Sequence, residues 1–190
     1  LWYDAPAERW TEALPVGNGS LGAMVFGGVV QERLQLNLDT LWQGGPHSYS
    51  HPGAAEVLPE LRRLLFAGEQ KAAERLATER FMSTPLRQCA YQPLGDLWIE
   101  LPGVQEASAY RRALDLDGAV ATTTFRRGDT TYSRRVFASY PDQAIFVELE
   151  CSQPGGLKFV VGLNSPHRLS ETKRVDERTL ELAGRVGDGS

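Results

Sequence analysis

Between Arg33 and Leu38 the chain alternates strictly, with Arg33, Gln35 and Asn37 on one parity and Leu34, Leu36 and Leu38 on the other. A period of two is the side-chain repeat of an extended strand, so this stretch presents one apolar and one polar face. Such a strand needs a second layer to cover its apolar side. Upstream, Leu21 to Phe26 is a short apolar run, and Gly27-Gly28 supplies the backbone freedom of a turn. Together they predict a β-hairpin at the centre of the stretch from Trp10 to Trp42.

The same stretch holds Gly17-Asn18-Gly19-Ser20-Leu21-Gly22, which fits G-x-G-x-x-G, with Asp39 near the spacing of a ribose-binding acid. That fingerprint works only between a buried strand and a helix whose N–H groups face a pyrophosphate. Pro15 argues against a central strand before the glycines. Ala23-Met24-Val25-Phe26-Gly27-Gly28 is too β-prone and glycine-rich to open a helix. The glycines read as a turn, and the nominal glycosylation sequon Asn18-Gly19-Ser20 reads as part of it.

From Leu94 onward the chain is strand-rich. Strands are expected over Leu94–Leu101, Tyr110–Leu116, Ala119–Arg126, Thr131–Ser139, Ala144–Glu150, Leu157–Leu163 and Arg178–Leu182. The joints are turn-forming pairs such as Asp117-Gly118, Gly128-Asp129 and Pro141-Asp142, a pattern that argues for a β-sandwich. Arg127-Gly128-Asp129 spells an adhesion tripeptide but sits where a strand turns back, and the turn reading prevails.

Between hairpin and later strands the period changes to that of a helix. Val57, Leu58, Leu61, Leu64 and Leu65 share a face, with Pro59 starting or kinking the helix and Gly68 as its C-cap. Glu69 to Phe81 continues as a second helix. The pair reads as a small helical insertion that covers the sheet rather than as a domain. The fold class is therefore mainly β with a small helical insertion.

Composition excludes several function classes. At 190 residues with 42% hydrophobic and 23% charged content, one ordinary globular domain is the default. A net charge of −4 gives no basic footprint for nucleic acid. The uncharged stretches are short and glycine-broken, so no membrane span is expected. Cys89 and Cys151 allow at most one bridge, which leaves their state open. His47 and His51 have i, i+4 spacing, but Ser48-Tyr49-Ser50 and Pro52 make the segment a loop. A zinc site needs three or four ligands, so no metal and no cofactor are expected. The chain opens at Leu1 without a leader, and the compartment stays open, a secreted or periplasmic protein with its signal peptide removed being one reading.

The run ALPVGNGSLGAMVFGGVVQERLQLNLDTLWQGGP resembles the N-terminal domain of glycoside hydrolase family 95, the α-L-fucosidases. Further matches follow in order: Tyr91-Gln92-Pro93-Leu94-Gly95-Asp96-Leu97, Tyr110 to Asp117, Phe137 to Gln143 and Leu163-Asn164-Ser165-Pro166-His167. The resemblance runs from Trp2 to about His167. It implies that residues 1–190 are an antiparallel β-supersandwich, truncated relative to the family, with a catalytic (α/α)6 barrel following outside this chain. It also implies an inverting α-L-fucosidase acting on fucosylated glycans, whose catalytic groups lie in that barrel, so no catalytic residue is assigned here. The expected partners are the barrel and, through it, a fucosylated oligosaccharide. An independent carbohydrate-binding module, an α-L-galactosidase or a disaccharide phosphorylase remain alternatives.

Asn37, Asp39 and Trp42, with Thr40, form a polar end beside an aromatic ring, a composition suited to sugar contact. Glu12, Asn18 and Gln92 are weaker candidates of the same kind. The competing reading is that these groups fix the hairpin ends or bind the barrel through buried hydrogen bonds. Trp10 and Trp98 read as core residues.

Overall fold

The structure, a computed structural model, describes residues 1–104 and 107–186. Its strands in chain order are β1 (Trp2–Tyr3), β2 (Leu14–Gly17), β3 (Leu21–Val25), β4 (Gln31–Leu38), β5 (Gly95–Glu100), β6 (Ser108–Asp115) and β7 (Val120–Arg127). They continue as β8 (Thr130–Ser139), β9 (Ala144–Cys151), β10 (Val160–Asn164), β11 (Leu169–Arg174) and β12 (Leu180–Arg185). The helices are α1 (Ala54–Phe66) and α2 (Gln70–Arg80), and Trp10–Glu12 is a 3-10 turn. The chain divides into two compact units, one of residues 1–41 with those from Gln92 onward, the other Trp42–Tyr91.

The first unit is a β-sandwich. One five-stranded sheet runs β1-β6-β7-β8-β9, the other β10-β5-β4-β3-β2, and β11 pairs with β12 in a separate hairpin. Every pairing is antiparallel. Leu14, Val16, Ala23, Val25 and Leu34 from the second sheet meet Leu114, Ala121 and Val136 from the first in one core cluster. Burying each large aliphatic side chain there contributes about 1.5–3 kcal/mol. Phe125 closes a neighbouring cluster with Leu101 and Val104, stacked on Tyr132 at 5.2 Å between ring centroids.

The expected hairpin is β3–β4, with Gly27-Gly28 in its connection and Leu34 fully buried. The two-residue joint Gly128-Asp129 connects β7 to β8, as the turn chemistry predicts. Three elements depart from expectation. Pro15 lies within β2, but β2 is an edge strand of its sheet, where a missing N–H is tolerated. β11 was not foreseen, because Leu169–Arg174 is almost wholly polar and half-covered at best. Ala183, Gly184 and Arg185 extend β12 beyond the expected strand, and residues 187–190 lie outside the described residues.

Two tryptophans correct the core assignment. Trp10 is 58% exposed, because it sits on a 3-10 turn rather than on an inward strand position. Trp98 is half-buried on the outer face of the second sheet, its strand neighbours Leu97 and Ile99 taking the inner one.

In the second unit, Val57, Leu61, Leu64 and Ala73 form the small core between α1 and α2. Pro59 lies inside α1, and Leu65, expected on the apolar face, is 58% exposed. With its own apolar centre, this helical insertion is a compact unit by itself.

Candidate functional site

The polar groups proposed as sugar contacts divide between the two units. Asn37 is half-buried on the outward parity of β4, opposite Gly22 on β3. Asp39 follows the strand, is exposed, and its backbone N–H donates to Ser20 O at 3.0 Å. Trp42 belongs to the second unit.

The weaker candidates serve local structure. Asn18 Oδ1 accepts the backbone N–H groups of Ser20 (3.2 Å) and Leu21 (2.8 Å), while its amide donates to Ser139 O at 2.8 Å. That is an asparagine fixing its own turn and tying it to β8. Glu12 accepts the N–H groups of Glu8 (3.0 Å) and Arg9 (3.2 Å) and the Arg9 Nε–H (2.8 Å). The Arg9 side chain, then the two backbone donors, hold the Glu12 carboxyl below its ordinary range. The Gln92 backbone N–H donates to Leu41 O at 3.0 Å.

Around Trp42 the second unit forms an open cleft of about 400 Å³, lined by Trp42, Gln43, Tyr49, Gln88, Cys89 and the Gly44-Gly45 backbone. Trp42 and Tyr91 form an isolated antiparallel bridge, reinforced by Gln43 N–H donating to Ala90 O at 2.9 Å. Their rings meet edge to face with centroids 4.9 Å apart. This holds the indole while leaving Trp42 51% exposed. The Cys89 backbone N–H donates to Tyr49 Oη at 3.2 Å, and Cys89 Sγ lies 3.5 Å from the same oxygen. The contact with the Cys89 thiol pushes the Tyr49 hydroxyl above its ordinary range, so it stays a neutral donor and acceptor. Gly44 has φ 84, and a Cβ there would sit 2.9 Å from Cys89 Sγ, so both backbone and space demand glycine.

This lining is aromatic faces, amides and a phenol, which suits a neutral polyol. It contains no carboxylate. Glycoside hydrolysis usually needs a pair of carboxyl groups, which this lining does not supply. His47 packs on Tyr49 at 4.2 Å and its Nδ1 lies 2.9 Å from Gly45 O; His51 Nδ1 lies 2.8 Å from Pro52 O. Both histidines are in loop, and among the described residues no group of three or more metal-ligating side chains assembles. No helix among them is long and apolar enough to cross a membrane.

Sequence reasoning missed a buried polar cluster in the first unit. Glu32 and Arg134 are paired across the sandwich, 0% and 2% exposed. Glu32 Oε1 accepts the N–H groups of Gly27 (2.8 Å) and Arg33 (3.0 Å), and Arg134 donates to Gly28 O at 2.6 Å. Tyr110 donates to Gly27 O at 2.6 Å, and Arg112 to Ala5 O (2.7 Å) and Glu12 O (2.6 Å). Burial pushes the Glu32 carboxyl up and the Arg134 guanidinium down, each opposed by the other's charge. The cluster pins the β3–β4 connection to the opposite sheet. Glu32 shares the parity of Leu34 and Leu36, so an inward acid was legible in the alternation itself.

Across residues 1–190 the chain matches the family described as glycosyl hydrolase family 65, N-terminal domain. It is 40% identical over 176 residues to alpha-L-fucosidase 2 of Arabidopsis thaliana, which covers 90% of this chain and 20% of that protein. It is 35% identical over 160 residues to a probable alpha-fucosidase A of Aspergillus niger, covering 78% of this chain and 19% of the relative. A probable alpha-fucosidase A of Aspergillus oryzae is 34% identical over 161 residues, covering 78% and 21%. The chain thus spans 19–21% of the length of these curated relatives.

Proposed function

Because the chain belongs to the glycosyl hydrolase family 65 N-terminal domain family, we propose that it is the non-catalytic N-terminal domain of an α-L-fucosidase of the family 95 type. In this reading it supports a catalytic barrel encoded elsewhere in a longer protein. The observation that carries it is the 40% identity over 90% of this chain to a protein named for α-L-fucosidase activity. The chemistry of the domain agrees: the Trp42 cleft has binding groups but no carboxylate, and Glu32, sealed inside the sandwich, has its charge engaged by Arg134. Substrate is a fucosylated oligosaccharide, and Trp42 is the residue of this domain best placed to touch it. Asn37, near the end of β4, and Asp39, just after it, are further candidate contacts.

The test is hydrolysis of chromogenic α-L-fucoside and α-L-galactoside by the long protein that contains this chain. Preference for the fucoside supports the proposal. Preference for the galactoside, or release of sugar phosphate only with inorganic phosphate present, would assign the domain to one of the alternative enzymes.

A further inference from the structure

The polar face of the second sheet carries a second, separate cleft. Its cross-strand row is Arg33 on β4, Trp98 on β5 and Gly162 on edge strand β10. The Arg33 guanidinium lies over the Trp98 ring at 5.4 Å and bridges to Asp96 Oδ2 at 3.0 Å. The indole N–H donates to Asn164 Oδ1 at 2.7 Å, which fixes the plane of the ring. Beside it, the sheet surface at Gly162 is open, since a Cβ built there would meet no atom within 4 Å. The resulting cleft of about 300 Å³ is lined by Gln31, Trp98, Glu100, Val160 and Gly162. Gln31 Nε2 donates to Glu100 Oε1 at 2.7 Å, holding the carboxylate at its rim.

We propose that this cleft is a binding site for a neutral pyranose, with the ring's apolar C–H face over Gly162 against Trp98 and its hydroxyls on Gln31 and Glu100. The charges decide the ligand class. Glu100 and Asp96 outnumber Arg33, which disfavours an anionic sugar or phosphate. A cation is disfavoured at the ring, because Arg33 already lies over it. An uncharged polyol with one apolar face satisfies both conditions. The site rests on the sheet face alone and does not depend on the catalytic proposal.

The experiment follows the Trp98 indole N–H cross-peak of the 190-residue chain by NMR during titration with methyl β-D-galactopyranoside, and with glucuronate as the anionic comparison. The expected result is a saturable shift at millimolar galactoside and none with glucuronate. Gly162→Val fills the gap at a strand position with ordinary backbone and room for a Cβ, and should weaken binding at least about 10-fold. An unmoved Trp98 signal, equal response to glucuronate, or undiminished binding by Gly162→Val would each overturn the proposal.

Discussion

Glu32 on β4 and Arg134 on β8 form an ion pair shut away from solvent, joining the two sheets directly beneath the Gly27-Gly28 turn. Among the described residues, Arg134 Nε and Nη1 find no hydrogen-bond partner. The pair therefore joins the sheets while adding little net stability, since removing two charges from water offsets most of their attraction.

That balance predicts opposite outcomes for single and double substitution. Arg134→Met leaves a buried carboxylate without its counter-charge and should lower unfolding free energy by about 3–5 kcal/mol. Glu32→Leu with Arg134→Met should cost clearly less than the sum of the two single changes. Urea denaturation of the three variants measures the coupling; strict additivity would show that the two side chains do not act as a pair.

The turn above the pair is similarly constrained. Gly27 has φ 76, and a Cβ there would lie 2.6 Å from Tyr110 Oη and 2.8 Å from Arg112 Cδ. Gly27→Ala should destabilise by more than about 1 kcal/mol, through backbone strain and the displaced side chains together. Tyr110→Phe removes the donor to Gly27 O and should cost about 1–2 kcal/mol. Burial holds the Tyr110 hydroxyl above its ordinary range, so this hydrogen bond persists through alkaline titration of exposed tyrosines. Thermal unfolding of both variants gives the check.

Acid should act late on the exposed cap at the N-terminal end, because its carboxyl is held below the ordinary range. The Glu12 carboxyl is held below 4.5, chiefly by Arg9. A carboxyl depressed on folding stabilises the folded state above its unfolded value, and that contribution is lost as pH falls through the folded value. The Arg9–Glu12 cap should therefore still be closed at pH 4.5 and open only as pH falls through the lower folded value. A carboxyl-carbon NMR titration placing Glu12 at or above 4.5 would contradict this.

At the Trp42 cleft the effect should be on binding rather than chemistry. In the long enzyme, Trp42→Ala should raise KM for a fucosylated oligosaccharide about tenfold, or about 1.4 kcal/mol, with kcat little changed. A fall in kcat at constant KM would instead place the indole at the reacting centre.

Much of the fold was written in local pattern. The Leu34-Leu36-Leu38 alternation fixed the inner face of β4, and turn pairs such as Gly128-Asp129 fixed the joints. β11 escaped because its stability comes from pairing with β12, which its own polar residues do not signal. Trp10 and Trp98 misled because hydrophobicity alone cannot distinguish an inward ring from one held at the surface by Arg9–Glu12 capping or by Arg33 and Asn164. The candidate cleft was legible only at Trp42. Its partners Tyr49, Gln88 and Cys89 reach it through the fold of the unit and carry no motif in sequence, and Tyr91 opened a motif that gave no sign of its contact with Trp42.

The central claim is that this domain supports a fucosidase without supplying its catalytic groups. The most direct measurement is hydrolysis of a chromogenic α-L-fucoside by the purified 190-residue chain, by the separately expressed downstream region, and by the two mixed after each is shown to be folded. The account predicts turnover in the mixture and none by the 190-residue chain alone. Hydrolysis by that chain alone would contradict it.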